Sequence, residues 1–467
     1  MLKCARLLSL IPLVFTLTSC LTLSHGLNTP TSPPQTQYNN PVTFTPSPTV
    51  TNTPFPPSPS PSPVRASPTL LPSVTPTIVS NRSARQLRVF KELWNTVHDE
   101  YLYPDFNGLD WNAIRVEYQA RIETGLTDEA FYAAMDEMIS RLGDEHSMFL
   151  NPDQALEEDL EFAGEYDYIG IGIMSSVVPE RDRVVIVTVF HHSPAEEAGL
   201  KPHDSILAVN GHPILDVSGF RRDLLRGPPG TAVQITVQTP GQEPRQVTLT
   251  RRRVTGPVPA PYTILESSGG GRIGYILVPT FTDDTIDDQV KDALNEMNAA
   301  NPIDALILDL RQNTGGADTV ARNTLSFFTG GVLGHWVNRH NLGRALNVPK
   351  VDIHGSSSLP IVILVGPRTV SFGELFAGVL KDSGRAYLIG EPTAGNIELM
   401  WGYDFEDGSR AWIARETFRP NNHPDQDWEK TGIIPDLVVS SQWDLVTLDT
   451  DPVVQAALQY FETYSKD

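Results

Sequence analysis

The stretch Val365–Asp382, VGPRTVSFGELFAGVLKD, decides how the rest of the chain is read. It continues a short apolar run, Ile361–Val365, that ends at Gly366-Pro367. A polar turn then carries Ser371, and Leu375, Phe376, Val379 and Leu380 recur at helical spacing. A serine at a strand-to-helix turn is exposed beside N–H groups that have no intrahelical partner. Those donors can hold an oxyanion while the hydroxyl attacks a carbonyl. The same serine also reads as a simple helix N-cap. The surrounding sequence has to decide between the two.

Outward from Ser371, residues 272–440 alternate strand-like and helix-like runs. RIGYILVPTF precedes a helical pattern from Asp284 to Ala300, then ALILDL, then a helix after Gly315-Gly316. IVILV, the Ser371 helix and AYLIG complete the series. This alternation predicts an α/β unit with a largely parallel sheet. A last apolar pattern, Asp451 to Tyr464, predicts a terminal helix.

The preceding residues differ in kind. LRVFKELWNTVHDEYL, DWNAIRVEYQARI and TDEAFYAAMDEMISRL each space apolar residues by three and four, so the region from Asn81 is helical in pattern. Thr127-Asp128-Glu129-Ala130 has the form of a capped helix start. That run leads into Asp144-Glu145-His146-Ser147. Between about Glu165 and Arg253 the chain is strand-rich with one helical segment. It carries Tyr168-Ile-Gly-Ile-Gly-Ile173, SPAEEAGL from Ser193 and DSILAVNG from Asp204. These segments resemble a PDZ domain over its full length. The resemblance implies that the loop Gly170, Ile171, Gly172, Ile173 offers N–H groups to a peptide's terminal carboxylate, the peptide adding as a strand. His191 and His192 are adjacent on an extended segment and point to opposite faces, which disfavours a shared metal.

Helical segment, PDZ domain and α/β unit, in that order, resemble the C-terminal processing peptidases, or tail-specific proteases, from about residue 85 to 465. LDLRQNTGG, Leu308 to Gly316, is similar to the family's LDLRxNPGG, and RTVSFGELFAGVLKD to its serine motif. The resemblance implies an α+β multidomain protein ending in a ClpP/crotonase-like serine peptidase core. It assigns the nucleophile to Ser371, the oxyanion hole to the N–H groups of Gly316 and Phe372, and the motif's downstream Asp to Asp382. The boundaries it suggests are 81–164 for the helical segment, 165–253 for the PDZ domain and 254–467 for the core. Arg311 is expected to pin its strand, Glu374 to support the helix start, and Asp382 to orient backbone or the loop at Gly395.

One departure outweighs these matches. Members with a Ser–Lys dyad carry lysine in a G-K-G-x-x-Q motif. Here the segment is Gly395-Asn-Ile-Glu-Leu-Met400, with Asn396 at the lysine position and Met400 at the glutamine position. A neutral amide has no basicity to take the serine's proton near pH 7. Lys381 is almost three helical turns from Ser371 and out of reach, whereas Lys430 is less easily excluded. Tricorn-type core proteases resemble this chain in a different solution, a histidine oriented by a glutamate. The matching positions are His146 in LGDEHS and Glu429 in WEKTGIIPD. An imidazole is a suitable base, and a carboxylate fixes its tautomer. His146 also occurs in dyad-type motifs, and Glu429 reads equally as a loop residue or cap. The combination therefore predicts a Ser371–His146–Glu429 peptidase forming an acyl-enzyme on Ser371. A catalytically inactive relative that binds peptides through its PDZ domain is the competing expectation. A purely structural stalk protein has no use for a Gly-Gly turn or an exposed serine.

The 467 residues carry a net charge of −21, which opposes nucleic acid as a partner and gives no electrostatic attraction to anionic lipid. Residues 1–20 resemble a lipoprotein signal peptide. Lys3 and Arg6 precede the apolar Leu7 to Leu17, and LTSC ends at Cys20, the expected lipidation site. Residues 21–80 are dominated by Pro, Ser and Thr and predict an extended tether. Fifty such residues reach on the order of 150 Å. Cys4 and Cys20 are the only cysteines, so the globular part is expected to hold no disulfide and no Cys-ligated metal. No metal and no cofactor is expected. The expected partners are a polypeptide substrate, engaged through its C-terminus, and a membrane reached by the lipid anchor. The expected location is exported, lipid-anchored at the outer face of the cytoplasmic membrane or at another extracytoplasmic membrane.

Overall fold

Six strands form the sheet that carries the Ser371 turn. In spatial order they are Tyr262–Glu266, Arg272–Leu277, Ala305–Asp309, Ile361–Val365, Tyr387–Gly390 and Leu437–Val438. The first pair is antiparallel and every other neighbour is parallel. The computed structural model that shows this describes residues 77–144, 146–162 and 168–464. The expected lipidation site Cys20 and nearly all of the Pro-rich segment lie outside the described residues.

Parallel strands need both faces covered, and the sequence supplies continuous apolar runs for that purpose. Ala305–Asp309 and Ile361–Val365 are buried at every position. One face is covered by the helices Ile286–Asn298, Asp318–Ser326 and Phe372–Asp382. The other is covered by the C-terminal helix Pro452–Tyr464 and by Val178, Val185 and Val187 of the middle module. The helix expected from Asp284 to Ala300 is thus two residues shorter at each end, and the terminal helix lies where its pattern placed it.

Residues 173–250 form a separate antiparallel sheet, its main path ordered Ile173–Val178, Arg183–Val189, Ser205–Val209, Ala232–Gln238 and Arg245–Thr250, and Tyr168–Gly170 pairs with Arg252–Val254 beside it. Its one helix is the short Pro194–Glu197, capped by Ser193, whose side chain accepts from the Glu196 N–H. Between Pro213 and Ala232 the chain makes turns and an isolated Leu215–Arg221 bridge. Strand Ile173–Val178 is at the sheet's edge.

The N-terminal helices Thr77–Glu100, Trp111–Glu123 and Asp128–Ser140 form as their spacing predicts. Asp110 and Thr127 cap the second and third by accepting from Ala113 and Ala130 N–H. These helices pack on one another, and their core extends beyond them. Their apolar faces pack with Phe405, Ala411, Ile413 and Ala414, residues about 300 positions later in the chain. Those residues belong to a second sheet, in which Met148–Leu150 pairs antiparallel with Arg410–Pro420. The same long strand pairs with Gly331–Asn338 and Leu399–Asp404. This five-stranded sheet has no counterpart among the elements expected from sequence, because its strands come from widely separated parts of the chain.

Arg311, expected to pin its strand, does more. Its buried guanidinium bonds Asp309 beside it at 2.6 Å and Asp451, the residue before the terminal helix, at 2.6 Å. Burial opposes the charge on Arg311, but the two carboxylates outweigh it and hold its pKa above the ordinary value. Removing one partner from a buried ion network strands the others. Arg311→Ala is expected to cost about 3–5 kcal/mol, read as a lower urea midpoint with loss of terminal-helix protection in hydrogen exchange.

Candidate active site

Ser371 is the last residue before helix Phe372–Asp382 and adopts φ 56°, ψ −123°. Positive φ is uncommon for a residue with a Cβ, and such strain persists only where the surroundings enforce it. Here the enforcement comes from three directions. From below, residues Phe372 to Leu380 are all buried, so the helix is packed on every side and cannot roll. A Cβ on Gly378 would lie 2.8 Å from Trp428 and Ile433, which explains the glycine in that otherwise continuous apolar run. From beside, Asn313 accepts from the Val370 N–H through its carbonyl, while its side chain holds Val278 O and the Gly315 N–H.

From above comes Glu374, whose carboxylate is fully buried. One oxygen accepts from the Thr393 hydroxyl at 2.5 Å and Gly395 N–H at 2.7 Å. The other accepts from Asn396 N–H at 2.9 Å and Ser371 N–H at 3.0 Å. Burial pushes this carboxyl up to about 7, and the four donors oppose that shift. Glu374 therefore supports the helix start as expected, and it also holds the 393–396 loop. Asp382 orients backbone, the first of its two expected roles, by accepting from the Asn422 N–H, and it also pairs with His423. It lies at the far end of the helix from Gly395, and Glu374 takes the loop.

The Gly-Gly turn meets the serine directly. A Cβ on Gly315 would lie 2.8 Å from Ser371 Cβ and 3.2 Å from Phe372 N, so only glycine fits. At Gly316 (φ 142°) a Cβ would penetrate the Phe281 backbone. Phe281 donates to Gly315 O and accepts from Ala317 N–H, so Gly316's own N–H points away from Phe281. Phe372 N–H is the first of its helix and has no intrahelical acceptor. Both expected oxyanion donors are thus carried by backbone packed at the serine.

His146 follows the third N-terminal helix, on a turn where Asp144 Oδ1 accepts from the His146 and Ser147 N–H groups. Strand Met148–Leu150 then anchors the segment to the second sheet. His146 Nε2 lies 2.8 Å from Glu429 Oε1. Glu429 Oε2 accepts from the Ile397 N–H at 2.7 Å and the Glu398 N–H at 3.1 Å. The two residues, 283 apart in sequence, are therefore brought together as their motifs suggest.

A further acid, not among the expected residues, joins them. Glu398 Oε2 is 3.9 Å from His146 Nε2, its other oxygen accepts from Tyr103 O–H, and the side chain is buried. Glu398 also borders the narrow crevice that Ser371, Phe372, Trp336, Leu375 and Ile397 line. It therefore connects the serine's crevice to the imidazole. A lone acid inside the apolar run Ile397–Trp401 was its sequence signal. Burial works against a charged His146, but Glu429, Glu398 and Asp144 outweigh it and push the ring up to about 9. Glu398 is itself raised to about 7, by burial first and then by Glu429's charge, with His146 opposing.

Neither Lys381 nor Lys430 takes the place that Asn396 vacates. Lys381 Nζ binds Ile434 O and Asp436, and Lys430 pairs with Asp427 with its side chain 80 % exposed. Asn396 contributes a backbone N–H to Glu374, and Met400 is buried in strand Leu399–Asp404.

In the middle module, the carbonyls of Ile171 and Gly172 are bound by Ala195 and Phe190 N–H. Gly172 (φ 85°) sits where a Cβ would collide with Ser193. The Gly170–Ile173 loop is thus rigidly held, with the hydroxyl of half-buried Tyr168 facing the Gly172 and Ile173 amides. The edge strand beyond it is fastened to the serine's surroundings. Ser176 Oγ donates to Gln312 Oε1, and the Arg368 guanidinium donates to Val177 O.

Residues 272–439 match the model of peptidase family S41, residues 169–250 that of a PDZ domain and residues 84–140 that of the tricorn protease C1 domain. A carboxyl-terminal-processing protease of Synechocystis sp. is 31% identical over 397 residues, covering 82% of this chain and 88% of its own. The carboxy-terminal processing protease CtpB of Bacillus subtilis is 26% identical over 331 residues, 70% of this chain and 66% of its own. Among solved structures, a photosystem II D1 C-terminal processing protease superposes with a TM-score of 0.56 at 27% identity, covering 80% of this chain and 97% of that one. Fold and site together define a serine-type peptidase bearing a PDZ domain. The chain belongs to peptidase family S41, and its relatives are C-terminal processing proteases.

Glu374→Gln replaces an acceptor with an amide whose NH2 faces hydrogen-bond donors. It is expected to cost about 1–3 kcal/mol and to slow labelling of Ser371 by a fluorophosphonate. Unchanged melting temperature and labelling rate would show that the turn stands without this carboxylate.

Proposed function

We propose that this peptidase works through a Ser371–His146–Glu429 triad on extracytoplasmic polypeptides, held to a membrane by a lipid on Cys20. The observation that carries the triad is the 2.8 Å His146–Glu429 contact in a site where Asn396 stands in place of lysine. Support for the address is the lipobox-like LTSC and the Pro-rich tether after it.

Glu429 accepts a hydrogen bond from the Nε2–H of neutral His146, which leaves the lone pair on Nδ1. That nitrogen takes the Ser371 proton as Oγ attacks the scissile carbonyl. The N–H groups of Gly316 and Phe372 bind the oxygen that becomes negative. The imidazolium gives its proton to the leaving amine, and water, deprotonated by the same ring, releases the acyl-enzyme. The PDZ loop Gly170–Ile173 receives the substrate's terminal carboxylate, and the edge strand Ile173–Val178 lies alongside the bound tail. The Ser176–Gln312 and Arg368–Val177 contacts give that strand a direct mechanical link to the loops that hold the nucleophile.

Ser371→Ala and His146→Ala are each expected to lower kcat/KM on an unstructured polypeptide by about 10³-fold or more, whereas Asn396→Ala changes it little. Full activity of His146→Ala would remove the triad. Amidating the substrate's C-terminus is expected to raise KM with little change in kcat, since it removes a carboxylate that only positions the tail.

The base must be neutral to act, and the ring's protonation is favoured by its two acid neighbours. The acid limb of kcat/KM against pH is therefore expected well above the ordinary histidine value of about 6.5, approaching about 9. The same shift stabilises the fold fully below about 6.5 and is lost as pH rises through about 9. A limb at 6.5 would show that the carboxylates do not govern the ring.

A further inference from the structure

The one cluster of metal-ligating side chains among the described residues joins His146, Glu398 and Glu429, whose ligand atoms all lie within 4.8 Å of one another. A triad needs one carboxylate at the imidazole, and this site has two. Glu398 Oε2 is buried and has no hydrogen-bond partner among the described residues, yet it faces His146 Nε2 at 3.9 Å. An unpartnered buried carboxylate oxygen is costly, so its persistence calls for a ligand.

Both carboxylates are also held in the same manner. Glu398 keeps one oxygen on the Tyr103 hydroxyl, and Glu429 keeps one on the Ile397 and Glu398 amides. In each case the second oxygen is left turned to the same ring nitrogen. Outer hydrogen bonds that fix one atom and aim the other are how proteins orient metal ligands. One imidazole nitrogen and two carboxylate oxygens suit Zn²⁺, which takes three such ligands and a water at about 2.0–2.2 Å. Ligands at that range stand about 3.3 Å apart in a tetrahedron. The Nε2 distances of 2.8 and 3.9 Å bracket that value, so small side-chain shifts suffice.

We propose that His146, Glu398 and Glu429 form an inhibitory Zn²⁺ site within the active centre. The ion takes the Nε2 lone pair, and the neutral ring then keeps its single proton on Nδ1. That nitrogen can no longer accept the serine's proton. Glu429 exchanges its hydrogen bond to the ring for a bond to the metal, so the triad is dismantled without movement of the nucleophile helix. No covalent bond in the protein changes, and removal of the ion restores the base.

The binding arm of this proposal is independent of peptidase activity, whereas the inhibitory arm rests on the triad reading above. Zn²⁺ is titrated calorimetrically into the full chain carrying Ser371→Ala, beside the same chain with Glu398→Gln, Tyr103→Phe or His146→Ala. One Zn²⁺ per chain is expected. Tyr103→Phe should weaken it by about 10–100-fold through loss of its outer hydrogen bond, and Glu398→Gln and His146→Ala, which remove ligands, should each weaken it further. Mg²⁺, which prefers an all-oxygen octahedron, should not compete. Melting temperatures separate loss of the site from loss of the fold. Zn²⁺ binding that Glu398→Gln leaves unchanged, or Mg²⁺ binding of equal strength, overturns the site. In the wild-type chain, Zn²⁺ should abolish polypeptide cleavage, reversibly with a chelator, and Glu398→Gln should raise the half-inhibitory concentration about as much as it weakens binding. Tight binding with an unchanged cleavage rate overturns the inhibition while leaving the site. Absence of Ser371 labelling in metal-free wild type would instead count against the triad reading, with the calorimetry still deciding the site.

Discussion

Glu429 holds two distant parts of the chain together with its two oxygens. One meets the imidazole of His146, delivered from the N-terminal helices, and the other meets consecutive amides of Ile397 and Glu398 in the core. Both ends of that bridge lie where water has little access, so neither can be exchanged for solvent without cost. A carboxylate bound only to the ring would be free to swing. Bound also to backbone, it sets the ring's position relative to the 393–398 loop, and Glu374 sets that loop relative to Ser371. The two acids form a relay of position from one end of the chain to the serine.

Replacing the family's lysine has a structural consequence beyond chemistry. A lysine base acts from the same loop as its neighbours and needs no contribution from the N-terminal segment. A histidine base needs that segment docked. The shared core of Phe131, Met135 and Phe149 with Phe405, Ala411 and Ile413 does the docking, with antiparallel pairing of Met148–Leu150 against Arg410–Trp412. Burial of that apolar surface is non-directional, and the strand pairing supplies the register that places His146. The competing expectation, an inactive peptide binder, draws no support from the loss of lysine alone, since in the proposed triad the base comes from His146.

The strain at Ser371 and the burial of Glu374 belong together. A residue with a Cβ is held at φ 56°, and the surroundings that hold it are a helix buried on all sides, the Asn313 carbonyl and a four-donor carboxylate. Each of those is placed by packing, so the surrounding structure over-determines the strained residue.

Much of this was legible in the sequence. The strand–turn–serine–helix stretch, the Gly-Gly pair and the alternation from Arg272 fixed the α/β core, because apolar periodicity and glycine tolerance are local properties. The same holds for the capped helices at Asp110 and Thr127. The missing lysine was readable from one position, Asn396. The sequence could name His146 and Glu429 as partners only through their motifs, since nothing local measures a separation of 283 residues. Glu398 was marked only as a lone acid in an apolar run, Tyr103 escaped it altogether, and so did the second sheet, whose strands come from three distant parts of the chain. Which acid faces the imidazole, and with which oxygen, depends on how residues 103, 146, 398 and 429 converge. Convergence is set by long-range packing and strand register, quantities that exist only once the chain has folded.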